Sequence, residues 1–215
     1  MDNAASLRAG AVAAVIGWVD AIAMAVLSKG ADLQVTQTVE TKEKLLAIMQ
    51  TQPRLLLDYM SLDTLFVISY LAVFGALFLC VPAGGRLIAA LGLGFGILAG
   101  LSDIVENILY IVYGLGSLHG ADLAPDLPFH YYVSMLKWIA AFTSVGLTTL
   151  VFPRRSSLEW LIVLVMATFP LGGALSIARP DLVPLRAIFF VIGLPLLAVL
   201  FMRRAAGLGP SPAPA

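Results

Sequence analysis

Three polar side chains that could do chemistry lie close together in GLSDIVENILY, residues 100 to 110. Asp103, Glu106 and Asn107 share one face of an α-helix at their spacing, and Tyr110 continues the same stripe. Two carboxylates placed in this way can bind a proton or a cation, or share one proton. A charged side chain in an apolar helix costs about 2.5 to 3.5 kcal/mol on membrane-insertion scales, so such groups usually face a protein interior. The stripe is therefore a candidate functional site.

Three further charged residues, Asp20, Asp63 and Lys137, lie inside other apolar segments. Counted at about 1.5 Å per residue from the nearest segment ends, all the buried charges fall in one layer, roughly 5 to 16 Å below one membrane face. Four acids then face one lysine, and a bound proton or cationic ligand would compensate the excess negative charge. We expect Lys137 to be the counter-ion, and Glu106 is the first choice for a proton carrier.

These positions require helices to hold them, and the composition predicts such helices. The 215 residues are 60% hydrophobic and only 12% charged, with a mean hydropathy of +0.96, whereas soluble domains are about 25% charged. Six segments meet the length and hydrophobicity of a membrane span: 9–28, 60–81, 87–114, 131–152, 158–178 and 184–202. The sequence therefore predicts an all-α polytopic membrane protein with six transmembrane helices in one bundle.

The domain organisation follows from the same pattern. Residues 1–204 are predicted to form a single six-helix domain, and the Pro-rich segment 205–215 a disordered tail. Between the first two helices, KEKLLAIMQ has the pattern of an amphipathic helix that could lie at the membrane surface. Gly92, Gly96 and Gly100 form a tandem GxxxG pattern, which favours close helix packing.

Charge and motif content exclude several functions. Thirteen basic residues balance thirteen acidic ones, which argues against nucleic-acid binding, and the lone Cys80 can form neither an intrachain disulfide nor a thiolate metal cage. The sequence has no HExxH, Walker A, GxSxG or CxxC motif, so no catalytic residue is assigned and no cofactor is named. His119 and His130 lack a standard metal-ligand spacing, and no metal site is predicted.

Orientation rests on the distribution of Lys and Arg near the helix ends. Six basic residues fall on each side, but those on one side all lie at short turns or termini, and the loop between the third and fourth helices has none. This favours both termini in the cytoplasm.

The segments SLDTLFVISY, GLSDIVENILY and SMLKW are similar to those of small multi-pass bacterial inner-membrane proteins of unknown function, which carry an acid-x-x-Glu-Asn element on one helix. The resemblance covers about the middle third of the chain. It implies a six-helix bacterial inner-membrane protein, marks Asp103, Glu106, Asn107 and Lys137, and brings no activity or ligand.

Three hypotheses for function remain open. The first is a ligand-binding membrane protein whose site takes a small polar or cationic molecule, a lipid headgroup or a proton, with a transport-related role. The second is a non-catalytic accessory subunit of a larger membrane complex, or a homo-oligomer, in which the polar cluster fixes helix register. The third is an intramembrane enzyme in which Asp103 and Glu106 share a proton.

Overall fold

The computed structural model describes residues 3–28, 47, 51–121, 127–179 and 185–207, and within these ranges the chain is helical with no strand. Six long helices follow one another: α1 (Asn3–Leu27), α2 (Pro53–Cys80), α3 (Arg86–Leu118), α4 (Leu127–Val151), α5 (Ser157–Ala178) and α6 (Leu185–Gly207). In these ranges the structure therefore confirms the all-α class and six helices that are long and apolar enough to cross a membrane.

Several helices are longer than predicted. Helix α1 begins at Asn3 and α2 at Pro53, a little under two turns before the apolar runs that mark the spans. Proline suits the first position of a helix because its missing N–H would have no partner there. Helix α6 continues to Gly207, whereas 208–215 and most of KEKLLAIMQ lie outside the described residues.

The helices pack in the order of the chain, and the last helix closes against the first. The main contacts join α1 to α2, α2 to α3, α3 to α4, α4 to α5, α5 to α6 and α6 to α1. Apolar side chains such as Val12, Val19 and Val26 on α1 and Leu164 and Leu171 on α5 are exposed on the outside. An apolar exterior of this kind suits contact with lipid.

Close packing of α3 depends on its glycines. A Cβ on Gly96 would lie 2.5 Å from the Phe74 ring of α2 and 3.0 Å from Ser144 Oγ of α4. Gly92 lies against Ser144 and Thr148, and Gly100 lies against Leu71 of α2. The GxxxG face therefore packs against both neighbouring helices, as the pattern predicted.

An ion pair ties three helices together at the face where α6 ends. Arg204 donates to Glu159 Oε1 at 2.6 Å and to the carbonyl of Cys80 at 2.8 Å. Glu159 lies in the first turn of α5, whose backbone N–H at that residue donates to Ser156 Oγ. The ends of α2 and α6 and the start of α5 are thus fixed at the face opposite the predicted site.

Helix α6 contains a π-helical turn, Phe189–Gly193, between its α-helical parts. Pro195 has no N–H to donate to the carbonyl four residues earlier, which belongs to Val191. The indole N–H of Trp18 on α1 donates to this carbonyl at 3.1 Å. The irregular turn therefore strengthens the contact that closes α6 against α1. Pro170, by contrast, lies inside α5 without ending it.

Candidate functional site

All six helices contribute to a cavity of about 210 Å³ inside the ring. Its charged lining residues are Asp63, Asp103, Lys137 and Arg186. Much of the remaining wall is aromatic, and these residues are Tyr59, Phe66, Tyr70, Phe74, Trp138, Phe169, Phe189 and Phe190. The cavity thus combines a few charges with a largely apolar wall, which is the usual character of a small-molecule site.

Lys137 joins the two acids of the third helix. Its ammonium donates to Asp103 Oδ1 at 2.7 Å and to Glu106 Oε2 at 2.5 Å, and all three side chains are buried. The ion pairs form because α3 and α4 present their polar stripes to each other. Lys137, which the sequence predicts to be the counter-ion, therefore pairs with both acids.

Hydroxyl groups occupy the other carboxylate oxygens of this network. Tyr70 of α2 donates to Asp103 Oδ2 at 3.0 Å, and Ser134 of α4 donates to Glu106 Oε1. Both acids therefore have a partner at each oxygen, which offsets part of the cost of burying them.

Asp63 joins the same network from α2. It is 6% exposed, it lines the cavity with Asp103 and Lys137, and its carboxyl group lies near those of Asp103 and Glu106 and near the Asn107 amide. Asn107 Nδ2 in turn donates to Thr64 Oγ1 at 3.4 Å. The structure thus brings together five of the predicted residues on three helices.

The two other predicted residues occupy different places. Tyr110 is buried one turn beyond Glu106 and packs against His130, with ring centroids 5.0 Å apart. Asp20 is buried on α1, and its Oδ2 has no hydrogen-bond partner among the described residues. It stays apart from the Lys137 network because α1 packs mainly on α2 and α6, whereas the network lies where α2, α3 and α4 meet.

Arg186 is a site residue that the sequence analysis missed, because it was counted as a charge at a helix end. It is only 7% exposed and lines the cavity, with its guanidinium carbon 4.3 Å from the centroid of the Trp138 ring. Its Nε and Nη2 donate to Ser176 Oγ, the former at 2.9 Å. The apolar residues that follow it, AIFF, were the signal that it could lie within the bundle.

The geometry bears on two kinds of chemistry. Lys137 binds one oxygen of Asp103 and one oxygen of Glu106, so each acid forms an ion pair with the ammonium. Two acids that share a proton would instead contact each other directly. Over the described ranges, no group of three or more His, Cys, Asp and Glu is arranged to hold a metal ion.

No protein-family model, curated protein or solved structure matches this chain. The resemblance to six-helix bacterial membrane proteins stays a prediction.

Proposed function

We propose that this protein inserts its six helices in a bacterial inner membrane and binds a small polar or cationic ligand, such as a lipid headgroup, in the central cavity. The observation that carries this proposal is the charge of the Lys137 network. Asp63, Asp103 and Glu106 are buried around one ammonium, and two of these acids line the cavity. A cation that enters the cavity beside Asp63 would meet the negative charge that Lys137 leaves uncompensated in this network.

Asp63 is the acid best placed to receive that cation. The ammonium of Lys137 already bonds to Asp103 and Glu106. Asp63 lies at the cavity wall with Asp103 and forms no ion pair within the described chain. Tyr59, Tyr70 and Trp138 line the same space, and aromatic faces stabilise alkylammonium groups. A proton on Asp63 or Glu106 would compensate the same charge, which gives the site its transport-related interpretation.

The location of the cavity supports an opening toward the outside of the cell. The network lies in the halves of α3 and α4 next to residues 119–127, away from the face where Arg204 pairs with Glu159. With both termini in the cytoplasm, as the Lys and Arg distribution favours, this half of the bundle is the periplasmic one.

A second candidate function is an accessory subunit in which the network only fixes helix register. One observation favours it: Lys137 is already paired to two acids whose other oxygens also accept hydrogen bonds. Partner membrane subunits, or further copies of this chain, would then cover the exposed apolar faces.

Replacement of Asp63 distinguishes these candidates. Hexyltrimethylammonium binding, measured by titration calorimetry on the full chain in a non-ionic detergent, should weaken at least about tenfold in Asp63→Asn, since a nearby charge is lost at a partly desolvated site. Asp58→Asn is the matched control, because Asp58 is exposed on the same helix, and it should bind as the wild type does. Unchanged binding in Asp63→Asn together with a lower unfolding free energy would support the register role.

A further inference from the structure

We propose that Arg186 and Ser176 form an anion subsite in the wall of the same cavity, so that the ligand carries an acid group, a carboxylate or a phosphate, in addition to its cationic group. This inference rests on the proposed ligand-binding function and names the class of ligand. It starts from Arg186, a buried cation that forms no ion pair with the acids of the Lys137 network in the described chain.

Burial makes Arg186 unusual. Its side chain is more than nine-tenths buried, and no carboxylate pairs with it among the residues that the structure describes. Its hydrogen-bond acceptor there is the neutral Ser176 hydroxyl, and its other close neighbours are the Trp138 and Phe142 rings. Aromatic faces attract a guanidinium but do not neutralise it. A bound anion would therefore lower the free energy of this buried charge.

The geometry leaves the guanidinium suited to bind one. Nε and Nη2 donate to Ser176 Oγ, which fixes the plane of the group, and Nη1 makes no hydrogen bond within the described chain. Arginine presents its N–H groups in a rigid fork that matches carboxylate and phosphate oxygens. Because Arg186 lines the cavity, an acid group inside it can reach the free part of this fork.

The anion subsite lies beside the acidic network. Lys137 Nζ is 5.5 Å and the Arg186 guanidinium carbon is 4.3 Å from the centroid of the same Trp138 ring. Among the described residues, Asp63 at one part of the wall forms no ion pair, and Arg186 at another pairs with no carboxylate. A molecule that carries both an ammonium and an acid group would satisfy both, and an apolar chain on it would lie against the aromatic wall. Both a zwitterionic lipid headgroup and a free zwitterion have this chemistry.

The test compares probes that carry a cationic group, an acid group, or both. Hexyltrimethylammonium, hexyl phosphate, hexanoate and hexylphosphocholine are titrated calorimetrically into the full chain in a non-ionic detergent, and phosphocholine without a tail separates a free zwitterion from a lipid-like one.

In Arg186→Gln, affinity for hexylphosphocholine and for the acid probe that binds should fall about ten- to a hundredfold, the value of one charge-assisted hydrogen bond. Affinity for hexyltrimethylammonium should not fall, and it should rise to the extent that the lost Arg186 charge repels the probe inside the cavity. Arg203→Gln, which removes an exposed arginine of the same helix, should change none of these values.

A second measurement needs no variant. Because Arg186 lines the cavity, phenylglyoxal that enters the cavity should modify it in the unliganded wild-type chain. A bound acid probe should protect Arg186 from this modification, and not the exposed Arg203, as measured by mass spectrometry. The inference is wrong if neither acid probe binds the wild type, if binding is equal in Arg186→Gln, or if Arg186 is modified at the same rate with the probe present. If hexyltrimethylammonium does not bind the wild type, but an acid probe binds and depends on Arg186, the proposed cation function is wrong and the anion subsite is supported.

Discussion

Lys137 and Arg186 are two buried cations that meet different surroundings within one cavity. Lys137 bonds to Asp103 and Glu106, whereas Arg186 bonds to a serine hydroxyl and packs on aromatic rings. The first cation compensates charge that the protein itself supplies. We propose that the second compensates charge that a ligand supplies. Residues of the same sign therefore have different roles, which burial alone does not distinguish.

Removal of the Lys137 ammonium should destabilise the protein strongly. In Lys137→Met the stem volume is kept, but Asp103 and Glu106 face each other without a cation, and loss of one partner from a buried ion pair costs about 3 to 5 kcal/mol. We expect a fall of about 3 kcal/mol in the unfolding free energy, measured by titration with a denaturing detergent.

The added replacement Glu106→Gln should restore part of this loss, because it removes one of the two unpaired charges. A fall below about 1 kcal/mol in Lys137→Met would contradict the assignment of Lys137 as the counter-ion of both acids.

The spacing of the sequence predicts much of this site, because residues three and four apart must share a helix face. Asp103, Glu106, Asn107 and Lys137 were found in that way, and the structure brings them together. Arg186 was missed because its burial depends on how α6 packs against α4 and α5, which a single helix pattern does not contain. Asp20 was included because its depth matched, but depth does not say which neighbours a helix has.

At the scale of the element, helix α3 combines two tasks on one face. Gly92, Gly96 and Gly100 allow the neighbouring helices to approach, Asp103 follows one turn after Gly100, and Glu106 comes one turn further on. The distance between α3 and α4 is thus set by glycines, and it determines whether Lys137 can reach both acids. Packing and charge pairing are coupled within this helix.

A methyl group on Gly96 tests that coupling. Gly96→Ala should lower the unfolding free energy by about 1 to 3 kcal/mol, because overpacking at Phe74 and Ser144 forces side chains or helices to shift. Gly94→Ala is the matched control, since a Cβ there meets nothing within 4 Å, and it should be neutral or stabilising by up to about 1 kcal/mol because alanine favours the helix. Equal stability of the two variants in thermal unfolding would contradict the close approach at Gly96.

At the scale of the whole molecule, hydropathy predicts the number and order of the helices, because an apolar run of sufficient length has few alternatives to a helix in lipid. It does not predict that α6 returns to α1. That contact depends on Gly10 and Gly17 facing α2 and α6, and on the Trp18 hydrogen bond to Val191. Such contacts between distant parts of the chain have no signature in a local pattern.

The proposed orientation makes a prediction about the two faces of the ring. Ala121→Cys lies next to the loop beside the site, and Ala206→Cys lies near the end of α6, and both positions are exposed. In intact cells a membrane-impermeant maleimide should label the first and not the second, whereas both should react after lysis. Wild-type Cys80 is buried and should react in neither case. Labelling of Ala206→Cys alone in intact cells would place the cavity on the cytoplasmic side.

The closure of α6 onto α1 also has a consequence for the order of events on the ribosome. A helix that pairs only with its chain neighbours can pack as soon as the next one is made. Helix α1 emerges first, yet the partner for the side that carries Trp18 is the last of the six to be synthesised. The contact between α1 and α6 is therefore missing while the first five helices are synthesised. The cavity has its complete wall, including Arg186, only when α6 has packed against α1.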